Sequence, residues 1–189
     1  MLWGANLGAL ELRSEGGETR LRARFPYGAE TELAPGRHEV IAARAFADRI
    51  EAGEDIHLLS GHDFNKPLAS RAAGNLHLTD GDDALVIEAT IADGTSWARD
   101  FLAAHAGGLI RGLSPGFRVE AGGERIERRA GGTLRTIRKA ALFELSAVTR
   151  PAYPAAQIEA RNWSPTEGGL LVPYAPRTGL NRTLNRWRA

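Results

Sequence analysis

All five histidines of this chain, His38, His57, His62, His77 and His105, precede its most nucleophile-like serine, and that order limits what the chain can be. The serine is Ser114, in Gly112-Leu113-Ser114-Pro115-Gly116-Phe117. G-x-S-x-G is the nucleophile elbow of the α/β-hydrolases, whose triad runs serine, acid, histidine along the chain. With no histidine after Ser114, that order cannot be met. Pro115 argues the same way: the elbow's oxyanion hole uses the N–H of the residue after the serine, and proline has none. An esterase of that class is therefore disfavoured. A nucleophilic Ser114 needs a base upstream and an oxyanion donor elsewhere. In a chain with 22 glycines, the plain alternative is a glycine-flanked turn or strand end.

Apolar spacing points to short strands. Leu21, Ala23 and Phe25 alternate with Arg20, Arg22 and Arg24, the period of a half-buried strand over Thr19 to Tyr27. Further strands are expected at Ile56 to Ser60, Asn75 to Thr79, Ala84 to Ile91, Leu109 to Glu120, Leu134 to Ile137 and Ala140 to Val148. Ala42 to Ile50 reads as a short helix. A second begins near the capping residues Thr95 and Ser96 and stops at Gly107-Gly108. Residues 121–132 read as a charged loop, and Gly36-Arg37-His38-Glu39 as a turn. Residues 1–17 read as a flexible leader and 18–161 as the main domain. Residues 162–189 read as a Pro/Gly linker with an arginine-rich tail, in which Leu180, Leu184 and Trp187 could share one helix face.

Composition removes several chemistries. There is no cysteine, so disulfides, a thiol nucleophile and thiolate metal sites are excluded. A net charge of +1 gives no overall field for nucleic acid. No apolar run approaches the roughly 18–20 residues of a membrane span, and a soluble, intracellular protein is expected. Lys66 and Lys139 are the only lysines among 24 basic residues, a bias of coding composition rather than of phosphate recognition.

A serine nucleophile needs a neutral imidazole and a group to orient it. His62 is best placed, because Gly61-His62-Asp63 follows the apolar Ile56 to Ser60 and can turn a side chain out of a barrel wall. His57 reads as a packed residue, His77 as facing solvent or a neighbouring strand, and His105 as a helix-terminal imidazole. A metal site from His57, His62, Asp63 and His77 is conceivable, but no close ligand spacing supports it, and no cofactor is indicated. Glu144 stands in the otherwise nearly apolar Ala141 to Val148. Burying a carboxylate unpaired is costly, so it needs a partner. It either orients a base or pairs with an arginine such as Arg118 or Arg138, and the residues leave both open. Asp63 is the next candidate orienter.

Three blocks occur in order: Leu59-Ser60-Gly61-His62-Asp63, Gly112-Leu113-Ser114-Pro115-Gly116-Phe117, and Phe143-Glu144-Leu145-Ser146-Ala147-Val148-Thr149-Arg150-Pro151-Ala152-Tyr153-Pro154. Together they resemble the prohead (capsid maturation) serine proteases of tailed phages, over about Thr19 to Arg161. The seven or so short strands and one clear mid-chain helix suggest a small, mainly antiparallel barrel with added helices. The resemblance implies a fold related to the herpesvirus assemblins, a small closed β-barrel surrounded by helices. It puts the catalytic histidine on His62, the serine on Ser114 and the acid on Glu144, with His62 and Ser114 at the barrel surface. The assemblins' arginine-bearing loop points to Arg150 as the oxyanion candidate. The implied function is a serine endopeptidase that cuts capsid and scaffold proteins, and itself, inside the procapsid in the host cytoplasm. Relatives by fold form homodimers, for which this sequence carries no interface signature. The alternative is a non-catalytic scaffold or assembly module on the same barrel. Two departures stand out: Gly61 where the family commonly has asparagine, and Pro115 where a bulky apolar residue is usual. Pro115 bears on strand pairing at the nucleophile.

Overall fold

The computed structural model describes residues 9–15, 18–110 and 112–149, with side chains from Thr19 onward. The first strands are β1 (Ala9–Glu15), β2 (Glu18–Pro26), β3 (Thr31–Ala34) and β4 (Arg37–Ile41), followed by helix α1 (Ala47–Glu51). Next come β5 (His57–Ser60), β6 (Asp63–Ser70), β7 (Leu76–Asp80) and β8 (Ala84–Ile91), then α2 (Ser96–Ala106). The chain continues through β9 (Gly112–Val119), β10 (Glu124–Arg129), β11 (Gly132–Ile137) and β12 (Ala140–Val148).

These strands build three four-stranded sheets, ordered β1-β2-β8-β7, β10-β11-β4-β3 and β6-β5-β12-β9. Neighbours pair antiparallel except β4 with β11 and β5 with β12, which run parallel. The expected closed barrel of about seven strands surrounded by helices does not form. Among the described residues the sheets are open, twelve strands are present, and there are two helices. The physical reason is that alternation specifies a buried face, not a neighbour. Each sheet covers its apolar face with the others instead of curling on itself. The shared core takes Leu21, Phe25 and Ile87 from the first sheet, Ile41 and Ile137 from the second, and Leu58, Leu113 and Leu145 from the third.

The strands missed in the sequence are short or polar. β10 (ERIERR) lies in the segment expected as a loop, and at a sheet edge its charges discourage pairing with another chain. β6 holds Pro67, which an edge strand tolerates. β3 and β4 are joined by Pro35-Gly36, with Gly36 at φ 69°, so His38 lies on a strand rather than in a turn. β1 occupies part of the expected leader and pairs with β2. The strongly patterned elements match the expectation. In β2, Leu21, Ala23 and Phe25 face inward, opposite Ala89, Ile87 and Leu85 of β8. At the start of α2, the Thr95 side chain accepts the Ala98 N–H at 3.3 Å, the N-cap its sequence announced.

Phe46, fully buried just before α1, joins two of the sheets. Its ring lies 5.4 Å from Phe117 of β9, 6.4 Å from Phe25 of β2 and 6.2 Å from Tyr27. Phe46→Ala is expected to cost about 3–5 kcal/mol of unfolding free energy, read by denaturant titration.

At the end of β7, Asp80 accepts the Tyr27 hydroxyl at 2.6 Å, while its Oδ2 is buried with no partner among the described residues. Burial, then the bond to Asp80, raises the Tyr27 pKa, and burial likewise raises that of Asp80. The folded state therefore holds the Asp80 proton more tightly than the unfolded chain does. Its contribution to stability is present at low pH and is lost as pH rises from about 3.9 through the raised value. Asp80→Asn keeps an acceptor for Tyr27 without the charge. The variant should be the more stable protein at pH 7, with the advantage shrinking below about pH 4, as thermal melts across pH would show.

Candidate active site

The β5–β6 connection is a two-residue hairpin turn. Ser60 pairs with Asp63, leaving Gly61 and His62 as the central residues, with φ of 68° and 61°. Positive φ at both positions is the type I′ pattern, whose twist suits antiparallel strands. Glycine adopts it without strain, and histidine is among the residues enriched there. Asparagine favours the same conformation, so the departure at Gly61 leaves the turn chemistry intact. Two bonds pin this turn to β12: the Gly61 N–H donates to the Ala147 carbonyl at 3.1 Å, and the His62 N–H donates to Ser146 Oγ at 2.9 Å.

A bulge in β12 aims the acid. Leu142 pairs with Phe117 and Glu144 with Gly116, so Phe143 is the extra residue. Before it, Ala140 and Leu142 belong to the core; after it, Leu145 and Ala147 do. The shift by one residue turns Glu144 and Ser146 to the opposite face. Phe143 itself is stacked by the guanidinium groups of Arg49, at 4.4 Å, and Arg118, at 5.4 Å.

On that face the side chains close a ring. His62 Nδ1 lies 2.7 Å from Glu144 Oε1, and Ser146 Oγ donates to Glu144 Oε2 at 2.6 Å while accepting the His62 N–H. A carboxylate only accepts, so Nδ1 carries the proton and Nε2 is left as the basic nitrogen. Glu144 is 4% exposed and Ser146 0%, whereas the His62 side chain is 33% exposed. The buried carboxylate is thus satisfied by two donors and the imidazole keeps an open side. Its partner is His62, not Arg118 or Arg138.

Ser114 sits on β9 directly opposite Ser146, on the same face. It is 4% exposed, more enclosed than the surface position expected. Among the described residues Ser114 Oγ forms no hydrogen bond with His62. Such bonds are often long in unliganded sites. The β9–β12 register runs unbroken from Leu113 to Gly116, so Pro115 does not disrupt pairing. β9 is an edge strand, where a missing N–H is tolerated. The second glycine of the motif makes room for the acid. A Cβ on Gly116 would stand 1.9 Å from Glu144 Oε1, so only glycine lets the carboxylate cross over β9.

The other candidates lie elsewhere. Asp63 accepts from the Asn65 backbone N–H at 2.9 Å, the main cause of its lowered pKa, and from the Asn65 amide at 3.1 Å. It is occupied away from His62. His57 meets Asp55 at 3.4 Å and the edge of Phe64 at 6.0 Å. His77 is on β7 in another sheet, opposite Glu88. Among the described residues no three His, Asp or Glu side chains gather as metal ligands. Arg150 and the tail after it lie outside the described residues. Sequence reasoning missed Ser146, whose signal was a second polar residue two positions after Glu144 in an apolar strand. It also missed the reason for Gly116.

Gly116→Ala and Gly61→Asn should separate these roles. The first is expected to cost about 1–3 kcal/mol as the new methyl displaces Glu144, and the second to leave the melting temperature nearly unchanged because asparagine keeps the turn.

A family model described as caudovirus prohead serine protease matches residues 10–168. No curated protein and no solved structure matches the chain.

Proposed function

On the premise that this chain belongs to the caudovirus prohead serine protease family, which the match over residues 10–168 shows, we propose that it is the endopeptidase of capsid maturation, with Ser114, His62 and Glu144 as its catalytic residues. The observation that carries this reading is the 2.7 Å contact between His62 Nδ1 and Glu144, on the sheet face that also bears Ser114. Ser114 Oγ attacks the scissile carbonyl and its proton passes to His62 Nε2. The imidazolium then gives that proton to the leaving amine, and water repeats the sequence on the acyl-enzyme. Glu144 holds the ring in the required tautomer and offsets the imidazolium charge. General-base help of this kind is typically worth about 100- to 10,000-fold.

Pro115 cannot donate to the oxyanion, and Arg150 is the proposed donor. The substrates are the capsid and scaffold proteins and the chain itself, cut within the procapsid, where confinement keeps enzyme and substrate concentrated. The arginine-rich tail beyond residue 161 is the proposed site of self-trimming.

Co-expression with the neighbouring capsid and scaffold proteins, followed by mass mapping of new termini, tests the reading. Ser114→Ala and His62→Ala should each abolish processing, and the double variant should be no worse than either. Glu144→Gln should retain more activity than Ser114→Ala. Processing by Ser114→Ala at the wild-type rate would sink the proposal in favour of a non-catalytic assembly module.

A further inference from the structure

Ser146 is fully buried, and its hydroxyl is engaged twice. It accepts the backbone N–H of His62 at 2.9 Å and donates to Glu144 Oε2 at 2.6 Å. One oxygen therefore links both supports of the imidazole: the left-handed backbone that carries it and the carboxylate that holds its Nδ1. We propose that Ser146 is a positioning residue, setting the imidazole's orientation relative to Ser114, which faces it across the β9–β12 ladder. This rests on the catalytic reading of His62 and Ser114 given above.

The chemistry is specific. With Nδ1 bonded to Oε1 alone, the carboxylate could rotate about its last torsion, a broad and weakly restrained one. The donation from Ser146 to Oε2 fixes that plane. The accepted N–H ties the turn, in which His62 holds a φ of 61°, to β12. Ser146 is also the residue paired with Ser114, so the nucleophile's strand and the base's anchor share one rung.

Two variants separate hydrogen bonding from packing. Ser146→Ala removes the hydroxyl; Ser146→Cys keeps the volume but offers only a weak donor and acceptor. Each is compared with the full-length wild type in its rate of Ser114 labelling by a fluorophosphonate probe, and in the NMR resonance of the His62 Nδ1 proton. Both variants should label about tenfold more slowly, as expected when the imidazole loses buried hydrogen-bonded support. The Nδ1 proton signal should broaden or vanish, with the Cys variant melting near the wild type. An unchanged Nδ1 resonance with wild-type labelling in either variant would overturn the assignment. So would slow labelling in Ser146→Ala that Ser146→Cys restores in full, since that describes packing alone. If even the wild type is not labelled, the catalytic reading fails, while the Nδ1 resonance still decides whether Ser146 holds the ring.

Discussion

One extra residue in β12 decides which way its carboxylate points. Without the bulge at Phe143, Leu142 and Glu144 would share a face, and either the leucine would leave the core or the glutamate would enter it. The bulge lets the strand begin with Ala140 and Leu142 inward and finish with Leu145 and Ala147 inward. Glu144 and Ser146 are delivered to the other side. Three parts of the candidate site stand on that shift: the acid, the serine bonded to it, and the rung shared with Ser114.

A buried carboxylate would ordinarily be a liability. Here its two oxygens meet two donors, His62 Nδ1 and Ser146 Oγ, and no arginine among the described residues neutralises it. That leaves its charge available to the imidazole in surroundings where electrostatic interactions are strengthened by the exclusion of water. Room for it comes from Gly116, over which it passes. The glycines of Gly112-Leu113-Ser114-Pro115-Gly116 thus belong to a different design from the hydrolase elbow, in which glycines serve a sharp strand-to-helix turn. In this chain the motif is a straight edge strand, and a proline within it is compatible with pairing on one side only.

Much of the candidate site was legible from residue order. The histidines' position excluded one enzyme class, and the three ordered blocks picked out the three residues whose strands and turn converge here. The acid's competing reading, an ion pair with Arg118 or Arg138, was open in the sequence, and the 2.7 Å contact with His62 decides the geometry. The closed barrel was the principal error. It followed from counting alternating segments, while charged β10, proline-bearing β6 and the short β3–β4 hairpin carried too little apolar pattern to be counted. Ser146 was passed over because a serine in an apolar strand has no period that distinguishes a structural hydroxyl from a positioning one.

By itself the sequence determined which faces are apolar, where α2 begins and ends, that Ser114 would need an upstream base, and that Gly61 and His62 could occupy a turn. These are local properties, set by side-chain period, capping and backbone freedom within a few residues. Only the tertiary structure decided that three open sheets share one core, that β5 runs parallel beside β12, and that a one-residue bulge brings Glu144 to His62. Those outcomes depend on pairing between segments far apart in the chain, such as Glu144 with His57 and Ser146 with Ser114. No local pattern of side chains encodes which distant strand a given strand will meet, because alternation fixes only the face that is buried.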